Sequence, residues 1–212
     1  MIHTLVVSII ALTFANSTSA ENRVAVIDTG LNIQSDKYKP FLCKTGHKDF
    51  TNTGIADTVG HGTQVVDLII ENAKTKNYCL VIIKFYSTRN SEKQSVSNFL
   101  KSLYYSTLLN IKVANLSVSG AGKSVEESMY FKYNPSTVFV TAAGNDGVNL
   151  DTKPRYPASY GYNNIIVVGA LSDDLKKNKS SNYGTNVFHW EVASATSFAT
   201  AIATGKYIRE HF

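Results

Sequence analysis

The sequence has few cysteines and prolines, and its apolar runs are short. It contains two cysteines and four prolines among 212 residues, of which 43% are hydrophobic and 17% are charged. This composition is typical of an ordinary globular protein, and the length favours a single domain. The apolar stretch near the N-terminus is interrupted by polar residues at 16–19. It is therefore shorter than the roughly twenty apolar residues that a membrane anchor needs.

A concentrated basic segment is also missing. The chain has 21 Lys and Arg against 16 Asp and Glu, a formal net charge of +5, but its lysines are scattered over 37–48, 74–84 and 176–179 among acidic and polar residues. Charges distributed in this way favour a solvated surface over a face that binds a polyanion. We therefore expect no nucleic acid partner.

The motifs of metal sites are incomplete. His47, Asp49, Asp57 and His61 lie near one another in the sequence, but they lack the His-Glu-x-x-His spacing of zinc hydrolases. The glycines on both sides of His61 instead favour a close approach of this ring to a serine. We expect neither a metal ion nor another cofactor.

One nucleotide-binding motif is nearly complete. Residues 117–124 match the phosphate-loop pattern Gly-x-x-x-x-Gly-Lys-Ser except at the first position, where Ser117 replaces glycine. A helix start explains the same residues, with Ser124 at the N-cap and Glu127 completing a capping box. We prefer the helix start and expect no affinity for ATP, whereas a nucleotide-binding protein would show an affinity for ATP that is lost in Lys123→Ala.

Strand-like and helix-like segments alternate along the chain. Apolar, β-rich runs predict strands, and amphipathic segments with helical spacing predict helices. The predicted strands cover 23–28, 79–86, 111–118, a run from 138 up to Asn145, and 164–170; the predicted helices follow Gly60 as far as Ile70, cover 92–110, and run from beside Ser197 to about 209. This alternation predicts an α/β fold with a doubly wound, mostly parallel sheet flanked by helices. In such sheets the active-site loops gather at the carboxyl ends of the strands.

Four residues stand at positions that suit catalysis. Asp28 ends the first strand, His61 lies between two glycines at the start of a helix, and Asn145 ends a later strand. Ser197 follows small residues and precedes a helix, whose unpaired N–H groups and positive dipole end favour developing negative charge. Each residue alone has an ordinary explanation as a turn, cap or packing residue. Together they occupy the expected ends of consecutive elements.

In this order and with these flanking residues, Asp28, His61, Asn145 and Ser197 resemble the active-site residues of the subtilisin-like serine proteases, the subtilases of peptidase family S8. The resemblance extends over nearly the whole chain after residue 22. The further matching segments are 114–117, 156–158 and 165–170. The resemblance implies a subtilisin-like three-layer fold and a serine endopeptidase that hydrolyses polypeptide substrates.

The resemblance also implies a role for each residue. Ser197 would be the nucleophile, His61 the general base, and Asp28 the group that orients His61 and stabilises its imidazolium form. The side-chain amide of Asn145 and the backbone N–H of Ser197 would form the oxyanion hole. Substrate-binding residues are implied in two segments, with Leu116, Ser117, Val118 and Ser119 along one edge and Ala142, Ala143 and Gly144 at the wall of the first specificity pocket.

The first twenty residues resemble a secretory signal peptide. They contain an apolar core from Leu5 to Phe14 and end in small residues up to Ala20, although no Lys or Arg precedes the core. We predict cleavage after Ala20, a mature peptidase domain at 21–212, a periplasmic or secreted location, and no membrane attachment afterwards. Because the first strand begins at about Arg23, we expect no propeptide, and a domain that folds unaided or with help in trans.

The two cysteines, Cys43 and Cys79, form an even pair in a chain with an export signal. This favours a disulfide that closes the segment carrying His61. The chain-entropy model gives such a bridge a stabilisation of about 3–4 kcal/mol. Two buried free thiols are the alternative.

Several positions depart from the family pattern. Ala195 and Ser119 stand where family members usually have glycine, and Ala201 stands where they usually have proline. The added side chains would crowd the substrate cleft, and the segment 183–195 and the part after Ser197 are shorter than usual. Two alternatives follow. One is that the chain is a weak or inactive subtilase that binds peptides or a protein. The other is that the shortened C-terminal part leaves one face of the sheet thinly covered and that a protein partner covers this face.

Overall fold

The computed structural model describes residues 21–212, so the predicted signal peptide at 1–20 lies outside the described residues. Within this part of the chain, seven strands form one sheet. The strands are β1 (Arg23–Asp28), β2 (Lys48–Asp49), β3 (Cys79–Lys84), β4 (Val113–Leu116), β5 (Val138–Ala142), β6 (Ile165–Leu171) and β7 (Val187–Val192). The α-helices are α1 (His61–Ala73), α2 (Glu92–Thr107), α3 (Val125–Tyr133) and α4 (Thr196–His211), and short 3-10 helices cover Lys39–Phe41 and Ala158–Tyr160.

All neighbouring strands are parallel, and their order across the sheet is β2-β3-β1-β4-β5-β6-β7. The predicted α/β fold with a doubly wound parallel sheet is therefore confirmed. The sequence pattern did not predict the two edge strands. Strand β2 has only two residues, both charged, and β7 mixes polar and apolar residues because part of it is exposed.

The sheet has a hydrophobic core on each face, because alternate residues of a strand point to opposite sides. On one side Val24, Val26 and Ile82 pack with Ile69 of α1 and Ile208 of α4. The core on the other side includes Ala25, Ile27, Phe99, Leu103 and Phe131, from β1, α2 and α3. Coverage on both faces explains why β1 and β3 are almost continuously apolar.

Helices α1 and α4 pack against each other on the same side of the sheet. The side of α4 that is buried carries small residues, among them Ala199, Ala201 and Ala203, which allow a close approach. At the N-terminal ends of the two helices, the ring of Phe198 lies 5.8 Å from the ring of His61, measured between centroids. The two helices therefore begin side by side, at the carboxyl edge of the sheet where β1 ends.

The predicted disulfide between Cys43 and Cys79 is confirmed. Cys79 is the first residue of β3, and Cys43 lies in the segment that leads to β2. The bridge thus ties the start of β3 to the segment between β1 and β2, and it closes the stretch of chain that carries His61. No helix between residues 21 and 212 has both the length and the apolar content that crossing a bilayer requires.

The predicted capping box of α3 is half formed. Ser124 Oγ accepts a hydrogen bond from the Glu127 N–H at 3.1 Å, as predicted. The second half of the prediction is wrong, because Ser124 Oγ pairs with Glu126 Oε2 at 2.9 Å while the Glu127 side chain is buried. The reason is packing, since the third position of α3 faces the interior.

Candidate active site

Asp28 and His61 form the most closely joined polar pair of the site. Asp28 lies at the carboxyl end of β1 and is only 3% exposed. Its Oδ1 accepts the Thr29 N–H at 2.7 Å and lies 2.7 Å from His61 Nδ1. An ionised carboxylate only accepts hydrogen bonds, so Nδ1 carries the proton and Nε2 is left as the basic nitrogen. The hydrogen bond to Asp28 raises the pKa of His61 more than burial of the ring lowers it.

The start of α1 is held by a carboxylate that the sequence analysis set aside, Asp57. Its Oδ2 accepts the N–H and the hydroxyl of Thr63 at 2.9 and 2.7 Å, and its Oδ1 accepts the N–H groups of Val59 and Gly60 at 2.9 and 2.8 Å. Burial alone would raise the pKa of Asp57, but these hydrogen bonds outweigh it and lower the pKa below its ordinary value. Asp57 therefore stays ionised and orders the turn that presents His61.

The same network reaches the strand that carries Asp28. Thr29 donates its hydroxyl to Asp57 Oδ1 at 2.9 Å and accepts the Gly62 N–H at 2.8 Å. A Cβ on Gly62 would lie 2.6 Å from the Gly30 carbonyl oxygen, so only glycine fits at this close approach. The glycine after the histidine thus brings the start of α1 against the end of β1.

Ser197 lies beside this pair without a hydrogen bond to it. Its Oγ is 3.4 Å from the Ser117 carbonyl oxygen, and Ser117 Oγ donates to the Ser197 carbonyl at 3.0 Å. Ser117 also lines a cavity of about 270 Å³ together with Asp28 and His61. Among residues 21–212 the Ser197 hydroxyl makes no hydrogen bond to His61, because it is turned towards Ser117. The structure therefore joins Asp28 to His61, and Ser197 is linked to Ser117, which lines the same cavity as that pair.

Asn145 is attached to the residue that precedes Ser197. Its Oδ1 accepts both the N–H and the hydroxyl of Thr196, at 2.9 and 3.0 Å. Because the oxygen is used in this way, the amide NH₂ group is directed elsewhere, and no acceptor in the described part of the chain binds it. The backbone N–H of Ser197 likewise has no acceptor within residues 21–212. Two unused donors thus lie at the start of α4.

The two predicted substrate-binding segments touch each other. Gly144 has a positive φ of 99°, and a Cβ on it would lie 2.5 Å from Ser119 Oγ. The side chains of Leu116, Ala142 and Ala143 are buried in the protein. These three residues therefore offer a substrate only their backbone. Val118 and Ser119 line a separate cavity of about 440 Å³.

His47 and Asp49 do not join the site. His47 bonds the Cys43 carbonyl oxygen through Nε2 at 2.9 Å and accepts the Ile82 N–H through Nδ1 at 3.1 Å, so both ring nitrogens are used. Asp49 accepts hydrogen bonds from the turn that follows it. The closest grouping of metal-binding residue types within 21–212 contains Glu21 and the two cysteines, whose sulfurs form the disulfide.

The family model of the subtilases matches residues 20–194, more than three quarters of the chain. The chain belongs to the subtilase family. The matched part includes Asp28, His61 and Asn145, and Ser197 lies three residues beyond its end.

Curated relatives of this subtilase come from animals and bacteria. The human membrane-bound transcription factor site-1 protease is 32% identical over 184 residues, which cover 82% of this chain and 16% of that protein. The thermophilic serine proteinase of Bacillus sp. (strain AK1) is 27% identical over 201 residues, which cover 89% of this chain and 47% of that protein. This subtilase thus spans less than half the length of either relative.

Solved structures share the fold of this subtilase. A cold-adapted subtilisin-like serine proteinase superimposes with a TM-score of 0.72 at 22% identity, over 89% of this chain and 76% of that one. A lanthipeptide protease gives the same TM-score at 17% identity, over 89% of this chain and 74% of that one. The predicted subtilisin-like three-layer fold is confirmed.

Sequence reasoning missed one residue that organises the site of this subtilase, Asn182. Its Oδ1 accepts the N–H groups of Asp146 and Val148, both at 3.0 Å, and its Nδ2 donates to the Ala143 carbonyl at 2.8 Å. Asn182 is completely buried, although it lies in a polar, lysine-rich segment of the sequence. The sequence signal for Asn182 was weak, because one asparagine in a polar, lysine-rich segment looks like a turn residue.

Proposed function

We propose that this subtilase is a serine endopeptidase that cleaves polypeptides with Asp28, His61 and Ser197. The 2.7 Å contact between His61 Nδ1 and Asp28 Oδ1 carries the proposal. It supplies an oriented base whose Nε2 is available, beside a serine at the start of a helix. The family to which the chain belongs supports the same chemistry.

In the proposed mechanism, Ser197 Oγ turns from the Ser117 carbonyl towards His61 Nε2. A serine hydroxyl moves between staggered rotamers with little obstruction, and catalytic hydrogen bonds often tighten only when substrate binds. His61 takes the hydroxyl proton as Oγ attacks the peptide carbonyl, and it later gives this proton to the leaving amine. Asp28 remains ionised and stabilises the imidazolium that forms in between.

The negative oxygen of the tetrahedral intermediate needs hydrogen-bond donors that are already in position. We assign this role to Asn145 Nδ2 and the Ser197 N–H. Both donors lack an acceptor within residues 21–212, and both lie at the N-terminal end of α4, where the helix dipole is positive. Asn182 and Thr196 would act as positioning residues. Asn182 holds the loop that carries Asn145, and Thr196 binds the side-chain oxygen of Asn145.

A fluorophosphonate probe tests the proposal, because it reacts only with a serine that is activated for attack. We expect labelling of the folded protein that disappears in Ser197→Ala and in His61→Ala, and cleavage of a mixed peptide library by the same preparation. Circular dichroism of each variant shows whether it is folded. Absence of labelling in folded wild-type protein would contradict the proposal.

A second function is favoured by one observation, the hydrogen bond of Ser197 Oγ to Ser117 in place of His61. If this arrangement persists with substrate bound, the protein is a subtilase that binds peptides without cleaving them. Ala195, where the family usually has glycine, is a departure in the sequence that agrees with this second function. The two functions are distinguished by the same probe.

We also propose that residues 1–20 direct export and that 21–212 form the mature domain. The support is the apolar core of the N-terminal segment and the disulfide, which forms in oxidising compartments. Expression of the full chain followed by N-terminal sequencing of the exported protein tests this proposal. We expect the mature protein to begin at Glu21.

A further inference from the structure

A cavity of about 440 Å³ adjoins the predicted substrate-binding edge. Its walls come from the segment after β3, the start of α2, the segment 118–124 and the start of α3. Apolar surface dominates, with contributions from Phe85, Val96, Phe99 and Val118. The size is within the range of ligand pockets, and the cavity opens beside Ser119, which contacts Gly144.

One acidic side chain lies in this apolar cavity. Glu127, on the first turn of α3, is 8% exposed, and its Oε1 is buried without a hydrogen-bond partner. The nearby Tyr160 hydroxyl has a single proton, which the Ser124 carbonyl oxygen at 3.0 Å and the Glu127 carboxyl group share as acceptors, and Oε1 remains unpaired. The buried hydroxyl of Ser119 in the same cavity also has no partner. Unpaired buried polar atoms are costly, which indicates that a ligand completes them.

The helix does not need Glu127 for its own structure. Ser124 caps α3 through its hydroxyl, and the neighbouring Glu126 is exposed and pairs with that hydroxyl at 2.9 Å. A leucine or methionine would suit the apolar surroundings of Glu127 better. The carboxyl group therefore requires an explanation outside the packing of α3.

The charged and titratable groups around Glu127 leave the cavity acidic. Glu92 on α2 and Lys123 before α3 lie at its exposed rim, and Tyr86 and Tyr156 contribute phenol groups. The exposed Glu126 adds a further negative charge nearby. Burial raises the pKa of Glu127 to about 7, an effect that the Tyr160 hydroxyl opposes in part. Near neutral pH the group thus changes between an acceptor-only carboxylate and a neutral acid.

We propose that this cavity binds a basic side chain, Lys or Arg, of the polypeptide substrate and that Glu127 is the residue that selects it. The inference rests on the proposed peptidase function and names the substrate class of that site. The long aliphatic stem of such a side chain would cover the apolar walls while its cation reaches Glu127. An apolar side chain would leave Oε1 unpaired, and an acidic one would meet a like charge.

Pairs of peptide substrates whose side chains have a similar shape but a different charge test this proposal. We would compare peptides that carry Lys or norleucine, and Arg or citrulline, at each of the four positions before the cleaved bond. At one position kcat/KM at pH 8 should be about tenfold or more higher for the cationic member, the factor expected for a hydrogen bond to a charged group. Glu127→Gln should bring the ratio close to one. Glu126→Gln makes the same carboxyl-to-amide replacement at an exposed neighbouring residue, and it should leave the ratio unchanged.

The pH dependence gives a second readout that needs no variant. The Lys to norleucine ratio should rise between pH 6 and 8, because Glu127 loses its proton in this range. Protonation of His61 affects both peptides equally and cancels in the ratio. A ratio that is high at pH 6 and unchanged at pH 8 would contradict the assignment to Glu127, and this holds even if Glu127→Gln fails to fold.

Failure of this inference is distinguishable from failure of the proposed function. Fluorophosphonate labelling of Ser197 does not depend on the cavity. Labelling and cleavage with no preference for the cationic peptides would overturn the inference and leave the peptidase in place. If neither labelling nor cleavage occurs, the affinities of the same peptide pairs, measured by fluorescence anisotropy, test the role of the cavity. About tenfold tighter binding of the cationic peptide that is lost in Glu127→Gln supports the cavity, and equal binding overturns it.

Discussion

Asp28 Oδ1 and His61 Nδ1 lie 2.7 Å apart, although 33 positions separate the two residues along the chain. The contact exists because β1 ends at Asp28 and α1 begins at His61, and the network of Thr29 and Asp57 joins these two ends. A base held in one tautomer is the first requirement of a serine protease.

Replacing Asp28 by asparagine should remove the orientation of His61. The amide has no charge to stabilise an imidazolium, and its NH₂ group favours the wrong tautomer, so under the proposed mechanism kcat should fall on the order of 10⁴-fold, the loss known for this change in a Ser-His-Asp triad. Because Asp28 raises the pKa of His61, wild-type kcat/KM should rise with pH to a midpoint above 6.5, and the midpoint should be lower in the variant. Measurements between pH 5 and 9 check both effects. Equal midpoints would contradict this role of Asp28.

Replacing Asn145 should lower kcat with little effect on KM, because the intermediate and not the substrate carries the oxyanion. For Asn145→Ala we expect a loss of about 10²–10³-fold, a magnitude taken from subtilisin, a member of this family. Asn145→Asp is the matched variant, since it keeps an acceptor for the Thr196 N–H but has no amide donor. Wild-type kcat in Asn145→Asp would show that Asn145 acts through Thr196 alone.

Lys84→Met should destabilise the protein. Lys84 is completely buried at the end of β3, and its Nζ donates to the carbonyl oxygens of Gly54 and Ala56 at 2.9 and 2.7 Å. Loss of the donor to two carbonyl oxygens at this partly buried contact should reduce the free energy of unfolding by about 2–4 kcal/mol. Urea unfolding in a Ser197→Ala background, which prevents self-digestion, measures the loss. The exposed Lys44→Met serves as control and should change stability by less than about 0.5 kcal/mol.

Removing the disulfide should also destabilise the protein, through the unfolded state. The bridge between Cys43 and Cys79 spans 36 positions, for which the chain-entropy model gives roughly 4 kcal/mol. The double variant Cys43→Ser, Cys79→Ser avoids an unpaired thiol, and urea unfolding of the oxidised protein supplies the reference. A difference below about 1 kcal/mol would contradict a contribution of this size from constraint of the unfolded chain.

Glu127→Gln should stabilise the protein at high pH. The pKa of Glu127 is about 7 in the folded protein against an ordinary 4.5, so the folded state binds more protons between these values. The contribution of Glu127 to the unfolding free energy therefore falls as pH rises from about 4.5 to 7, by roughly 3 kcal/mol in all. The variant should match wild type at pH 4 and exceed it at pH 8. Parallel stability curves across this range would show that Glu127 keeps an ordinary pKa.

Periodicity and chain order carried most of the fold prediction. The continuous apolar runs of β1 and β3 are typical of strands covered on both faces, and amphipathic spacing identified α1 and α2. The edge strands β2 and β7 escaped this reasoning because they are short or partly exposed. Their pairing depends on neighbours that lie far away in the sequence, and a local pattern does not record them.

The sequence by itself determined which residue types stand at the ends of which elements. Asp28, His61 and Asn145 were found in this way, because a strand or helix end is a local feature of the chain. Only the tertiary structure decided how the side chains meet. Asn182 and Glu127 look like surface residues in their polar segments, yet both are buried. Burial and the direction of the Ser197 hydroxyl follow from packing between distant segments, and this packing sets the distances and pKa values on which the chemistry depends.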